Sequence, residues 1–106
     1  MPSLRELLSD PNRFVIGTEI VTTRGKIPKN LIRFSREICD CDAFDFANIT
    51  DNPGGNPMIL PENLGQALLF AGKNVVIHLT CKDANRNSLE SRAWNLANQG
   101  FENILC

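Results

Sequence analysis

Long apolar runs are missing from this sequence. None approaches the roughly 20 residues needed to span a bilayer, so no stretch reads as a membrane segment. The start, Met1-Pro-Ser-Leu-Arg-Glu-Leu-Leu8, lacks the charged-then-apolar layout of a signal peptide, and a cytoplasmic location is the expectation. An excess of either charge is missing too. A formal net charge of −1 offers nothing to attract nucleic acid or an anionic membrane surface. Metal-ligand spacing is equally scarce. Among four cysteines and one histidine, Cys39 and Cys41 have a single residue between them, tighter than the gap of roughly two to four residues in a zinc knuckle. Cys81 and Cys106 have no partner at ligand spacing, so reduced, buried thiols in a reducing compartment are expected. No Gly-x-Gly-x-x-Gly opens the first loop, which argues against a dinucleotide-binding half of a doubly wound sheet.

What is present organises itself around Val75-Val-Ile-His-Leu-Thr-Cys81. Val75 to Ile77 reads as a strand buried on both faces. It delivers His78, Thr80 and Cys81 at its C-terminal end, where parallel α/β folds place their chemistry. His78 therefore reads either as a ligand contact or as a core histidine bonded to backbone.

The 106 residues suffice for one small domain. Ser3 to Leu8 carries leucines at helical spacing, and Asp10-Pro-Asn12 ends that helix. Phe14 to Val21 predicts a strand and Thr22 to Gly25 a loop. Pro28 predicts the first position of a helix that buries Leu31, Phe34, Ile38 and Cys41. Ala43 to Thr50 predicts a second strand, and Asp51-Asn-Pro-Gly-Gly-Asn-Pro57 a turn cluster. Pro61 predicts a helix with Leu64, Ala67, Leu68 and Ala71 in register and Gly72 just past its end. After the His78 strand, Asn87 and Glu90 suggest a capping box for a helix burying Leu89, Ala93, Leu96 and Ala97. Phe101 to Cys106 begins a fourth strand. Strand, loop and helix thus recur about every thirty residues, the size of a β-α-β unit. The expected fold is α/β, the N-terminal half of a TIM (β/α)8 barrel with about three and a half β/α units, spanning residues 1–106 and ending within strand four.

Polar groups stand at three strand ends. Glu19 reads as an interior carboxylate paired with a neighbouring base, or as a general acid desolvated among Ile16, Ile20 and Val21. Thr50 reads as a hydroxyl satisfying backbone or as a site residue. Arg24, Asp51 and Asp83 read as solvated loop charges unless something specific places them.

Glu19-Ile-Val-Thr-Thr-Arg24, Asn48-Ile-Thr-Asp-Asn-Pro-Gly-Gly55 and His78-Leu-Thr-Cys-Lys-Asp83 together resemble the methylenetetrahydrofolate reductase family, in that family's order. The Asp51 to Gly55 form is similar to its branch in anaerobic and one-carbon-fixing microbes. The likeness runs from about Phe14 to Cys106 and covers the first half of the family's barrel. It implies a barrel holding FAD non-covalently. Hydride would pass from NADH or NADPH (ferredoxin or another carrier in some members) through the flavin to methylenetetrahydrofolate, giving methyltetrahydrofolate. By motif, Glu19 matches the acid that protonates the folate, and Thr50, Asp51 and His78 match positions that hold the flavin. The family's two prolines before the arginine are Thr22 and Thr23 here, which weakens any role for Arg24. Its Gly-Asp at the end of strand four would fall just past Cys106.

Half a barrel leaves open edges at the Phe14 and Phe101 strands, which invite association. The chain is therefore expected to be a fragment, poorly stable and inactive alone. The full form is expected to be a homo-oligomer or bound to an electron-transfer partner. Two alternatives remain: a non-catalytic half-barrel that dimerises or docks on a partner, and a flavin-free barrel enzyme using Glu19 and His78 as an acid–base pair.

Overall fold

The structure, a computed structural model, describes residues 2–106. In chain order it comprises helix α1 (Leu4–Ser9), strand β1 (Gly17–Ile20), helix α2 (Lys29–Asp40) and strand β2 (Phe46–Ile49). A single 3-10 turn (Pro53–Gly55) precedes helix α3 (Glu62–Phe70), strand β3 (Asn74–His78), helix α4 (Arg86–Asn98) and strand β4 (Asn103–Leu105). The strands form one all-parallel sheet in the order β1-β2-β3-β4. Strand order never reverses, so the sheet has no switch point of the doubly wound kind. An α/β fold with helices alternating with successive parallel strands is consistent with a partial α/β barrel. No helix among the described residues is long and apolar enough to cross a membrane.

Successive side chains of a strand point to opposite faces, and the register makes two distinct rows. Ile20, Ile49, Ile77 and Ile104 align in one; Glu19, Asn48, Val76 and Asn103 align in the next. The isoleucine face packs under the helices. Ile20, Ala47, Ile49, Val75 and Ile77 form one cluster with Ile38 of α2, Leu64 and Leu68 of α3, Leu96 of α4 and Phe101. Gly65 is what lets α3 lie this close, since a Cβ there would sit 2.9 Å from both Ile77 and Phe101. Val75, Val76 and Ile77 are all buried, the two-faced burial that their composition predicts. Gly72 has φ +84° directly after the α3 cap, as expected of a helix-ending glycine.

Several local expectations change. Strand β1 is only Gly17–Ile20, and Phe14 lies outside it, 86% exposed. Its neighbour β2 begins pairing only at Phe46, because the Asp45 carboxylate takes the Ile16 N–H. In α2 the buried positions are Ser35 and Ile38, with Leu31 half-buried, a 31-35-38 stripe that leaves Phe34 exposed. Cys41 is the C-cap and lies outside the helix. Ala67, Ala71, Ala93 and Ala97 are exposed, and Leu96 is the one α4 residue that is fully buried. The α4 cap is Asn85 rather than Asn87: its side chain accepts from Ser88 N–H, and the Ser88 hydroxyl accepts from Asn85 N–H.

Candidate functional site

The C-terminal ends of β2, β3 and β4 border an open hollow of about 320 Å³, lined among others by Asp51, Asn52, His78, Thr80, Lys82 and Leu105. His78, the last residue of β3, is half-buried, and its Nε2 is buried without a hydrogen-bond partner. A buried polar nitrogen of this kind is costly unless something else meets it.

Asp51 follows β2 and is not a solvated loop charge. It is 7% exposed. Its Oδ2 accepts from the Thr80 backbone N–H at 2.9 Å and from Arg92 Nη1 at 2.8 Å, while Oδ1 is buried and unpartnered. Arg92 Nη2 reaches Glu62 Oε2, 2.9 Å away in the first turn of α3. Desolvation works against the Arg92 charge, but hydrogen bonds to Glu62 and Asp51, with their negative charges, outweigh it and raise its pKa. The Asp51–Arg92–Glu62 bridge therefore joins the β2 end to α4 and α3. The sequence reading missed Arg92 and Glu62. Their one signal was a charged residue on each helix beside apolar core positions, and the partner lies 41 residues away for Asp51 and Arg92.

The turn after β2 is held just as specifically. Asn52 takes a left-handed conformation (φ 43°), its Oδ1 accepts from Met58 N–H at 2.9 Å, and Lys82 donates to its carbonyl at 3.3 Å. Lys82 Nζ also lies 2.9 Å from Asp83, and that hydrogen bond holds the Asp83 carboxyl below its usual range. Arg24 donates to Asn56 at 2.9 Å, and Ile59 N–H donates to the Thr23 carbonyl, so the first loop leans on the second. Arg24 and Asp83 are exposed, the loop charges their sequence context suggests.

Thr50 is buried, and its hydroxyl lies 3.5 Å from the Ile20 carbonyl and 3.4 Å from the Thr22 N–H. Its side chain meets the backbone at the end of β1. Glu19 is not desolvated. It is exposed, and its neighbours Ile16 and Val21 are 43% and 51% exposed, because it points to the sheet face that no helix covers, whereas Ile20 beside it points under the helices and is buried. Asp51 and His78 therefore share the hollow, whereas Glu19 and Thr50 do not line it. Glu19 stands two strands away, roughly 10 Å across the sheet at the usual strand spacing. Among the described residues no cluster of three or more His, Cys, Asp or Glu could hold a metal.

Comparison with known proteins finds no matching family model and no significantly similar curated protein.

Proposed function

We propose that this chain is the flavin-holding part of a methylenetetrahydrofolate reductase-like β/α barrel in the cytoplasm, reducing methylenetetrahydrofolate to methyltetrahydrofolate. The observation that carries the reading is the meeting of Asp51 and His78, both of which bear an unpartnered buried polar atom, on one hollow at parallel strand ends. The resemblance of the three strand-end motifs supports it. The hollow admits one ring system rather than a whole dinucleotide. The polar side chains of His78 and Asp51 on its wall suit a polar heterocycle. Thr50 fits less well, because its hydroxyl already faces backbone, so its role narrows to shaping the rim.

The flavin, when bound, would carry hydride from a reduced nicotinamide or another donor to the folate. Asp51 and His78 would bind and orient it. Glu19, on the open sheet face and exposed to solvent, would give a proton to the folate that sits across that face. The remaining wall would come from further parallel strands, supplied by the same polypeptide or by a partner.

Titrating the chain, joined to the further strands that complete its barrel, with FAD and following quenching of flavin fluorescence tests the reading. Saturable binding is expected, abolished in His78→Ala and strongly weakened in Asp51→Asn. Glu19→Gln should bind flavin normally while losing turnover in the assembled reductase. No binding by the unsubstituted protein would sink the proposal.

One observation favours a second reading, a non-catalytic half-barrel that pairs with another copy. The edge strand β4 exposes Ile104 and Leu105, and Ile16 and Val21, which flank the other edge strand β1, are exposed too, the kind of edge that invites strand addition. Sedimentation of the flavin-free protein distinguishes the two: a stable dimer that ignores FAD supports this alternative.

A further inference from the structure

We propose that Arg92 is a positioning residue: it fixes the plane of the Asp51 carboxylate at the wall of the hollow, with Oδ2 spent inside the protein and Oδ1 without a partner. The inference rests on the proposed ligand site, but its geometry can be read without any ligand. Asp51 has two oxygens with about four acceptor sites between them. Both of its hydrogen bonds, from Thr80 N–H and Arg92 Nη1, fall on Oδ2, and Oδ1 has none. Its two oxygens are equivalent, so a half-turn about the side-chain torsion changes nothing, but a carboxylate this buried could otherwise tilt its plane and lose this arrangement. The guanidinium fork stops that, because Nη1 and Nη2 are held at once by Asp51 and Glu62. Glu62 lies in the first turn of α3 and Arg92 in the second turn of α4, so residues on two helices hold one loop carboxylate.

Lysine could not do this. Its ammonium is a single point with a flexible stem, and it cannot present two fixed donors in one plane. Charge neutralisation and orientation are therefore separable by substitution: Arg92→Lys keeps the first and loses the second, while Arg92→Met loses both.

The test uses nuclear magnetic resonance on the chain joined to the further strands that complete its barrel, unsubstituted and as Arg92→Lys, Arg92→Met and Glu62→Gln, first without ligand and then with FAD. The Thr80 amide reports on Asp51, while the Leu79 amide, which donates to the Leu105 carbonyl at 2.8 Å, serves as the internal control. In Arg92→Lys and Arg92→Met the Thr80 amide should exchange with solvent about 10- to 100-fold faster, the loss expected of a hydrogen bond to a charged group. In Arg92→Lys, which keeps the charge, Leu79 should change less than about twofold, well below the size of that loss; in Arg92→Met the Thr80 change is read relative to that of Leu79. FAD affinity should fall with the Thr80 change in both variants. Glu62→Gln, which keeps an acceptor for Nη2, should retain most of both signals. Should Arg92→Met fail to fold, the lysine variant carries the comparison alone.

Unchanged Thr80 exchange in a folded Arg92→Lys overturns the positioning role. So does a loss of Leu79 protection equal to that of Thr80, which would mark a merely structural residue. If Thr80 responds as expected but the unsubstituted protein binds no FAD, the positioning stands and the flavin reading fails.

Discussion

Asp45 and Ile16 are joined twice. The Asp45 N–H donates to the Ile16 carbonyl at 2.7 Å, and the Ile16 N–H donates to Asp45 Oδ2 at 2.9 Å. Arg13 donates to the other carboxylate oxygen. This closed pair lies directly before the β1–β2 ladder, which starts at Gly17 and Phe46.

The backbone hydrogen bond from Ile16, followed by the Arg13 contact, holds the Asp45 carboxyl below its ordinary pKa. A depressed carboxylate pKa stabilises the fold above the unfolded value near 3.8. That contribution is lost as the pH falls through the lower folded value. Asp45→Asn is therefore expected to lower Tm at neutral pH. The gap from the unsubstituted protein should narrow only in acid, below about pH 4. Thermal melts across that range check it, and a gap independent of pH would count against the pairing.

Gly17 faces Phe46 across the same pair of strands. A Cβ at residue 17 would lie 2.2 Å from the ring. Gly17→Ala should destabilise by about 1–3 kcal/mol through overpacking. The double variant with Phe46→Leu should recover most of that loss in urea unfolding.

Asn85, not Asn87, caps α4. Asn85→Ala should cost about 1 kcal/mol, whereas Asn87→Ala should stay within about 0.5 kcal/mol of the unsubstituted protein. Equal effects in denaturant titrations would contradict the cap.

Removing Arg92 leaves the Asp51 and Glu62 carboxylates nearly buried without a cation. Arg92→Met should cost about 3–5 kcal/mol. Replacing all three together, with Asp51→Asn and Glu62→Gln, should return most of it, because the penalty comes from unpaired charge rather than lost volume. Chemical denaturation of the single and triple variants measures the difference.

Local pattern was enough for the order of elements. The two-faced apolar run at Val75–Ile77, the leucine spacing of α3, the Gly72 stop and the alternation of strand with helix are properties of neighbours in the chain, and each appears where its residues predict. The placement of His78 at a strand end follows from the same periodicity. Strand limits did not, because they depend on which backbone groups a partner leaves free, as Asp45 does at Ile16. Nor did the surroundings of the charges. Glu19 sits among apolar letters yet lies on an edge strand in solvent, while Asp51 sits among turn residues yet is buried against Arg92. Sequence neighbours determine propensity and period; desolvation and pairing belong to neighbours in space, which only the packing of α3 and α4 against the strand ends brings together.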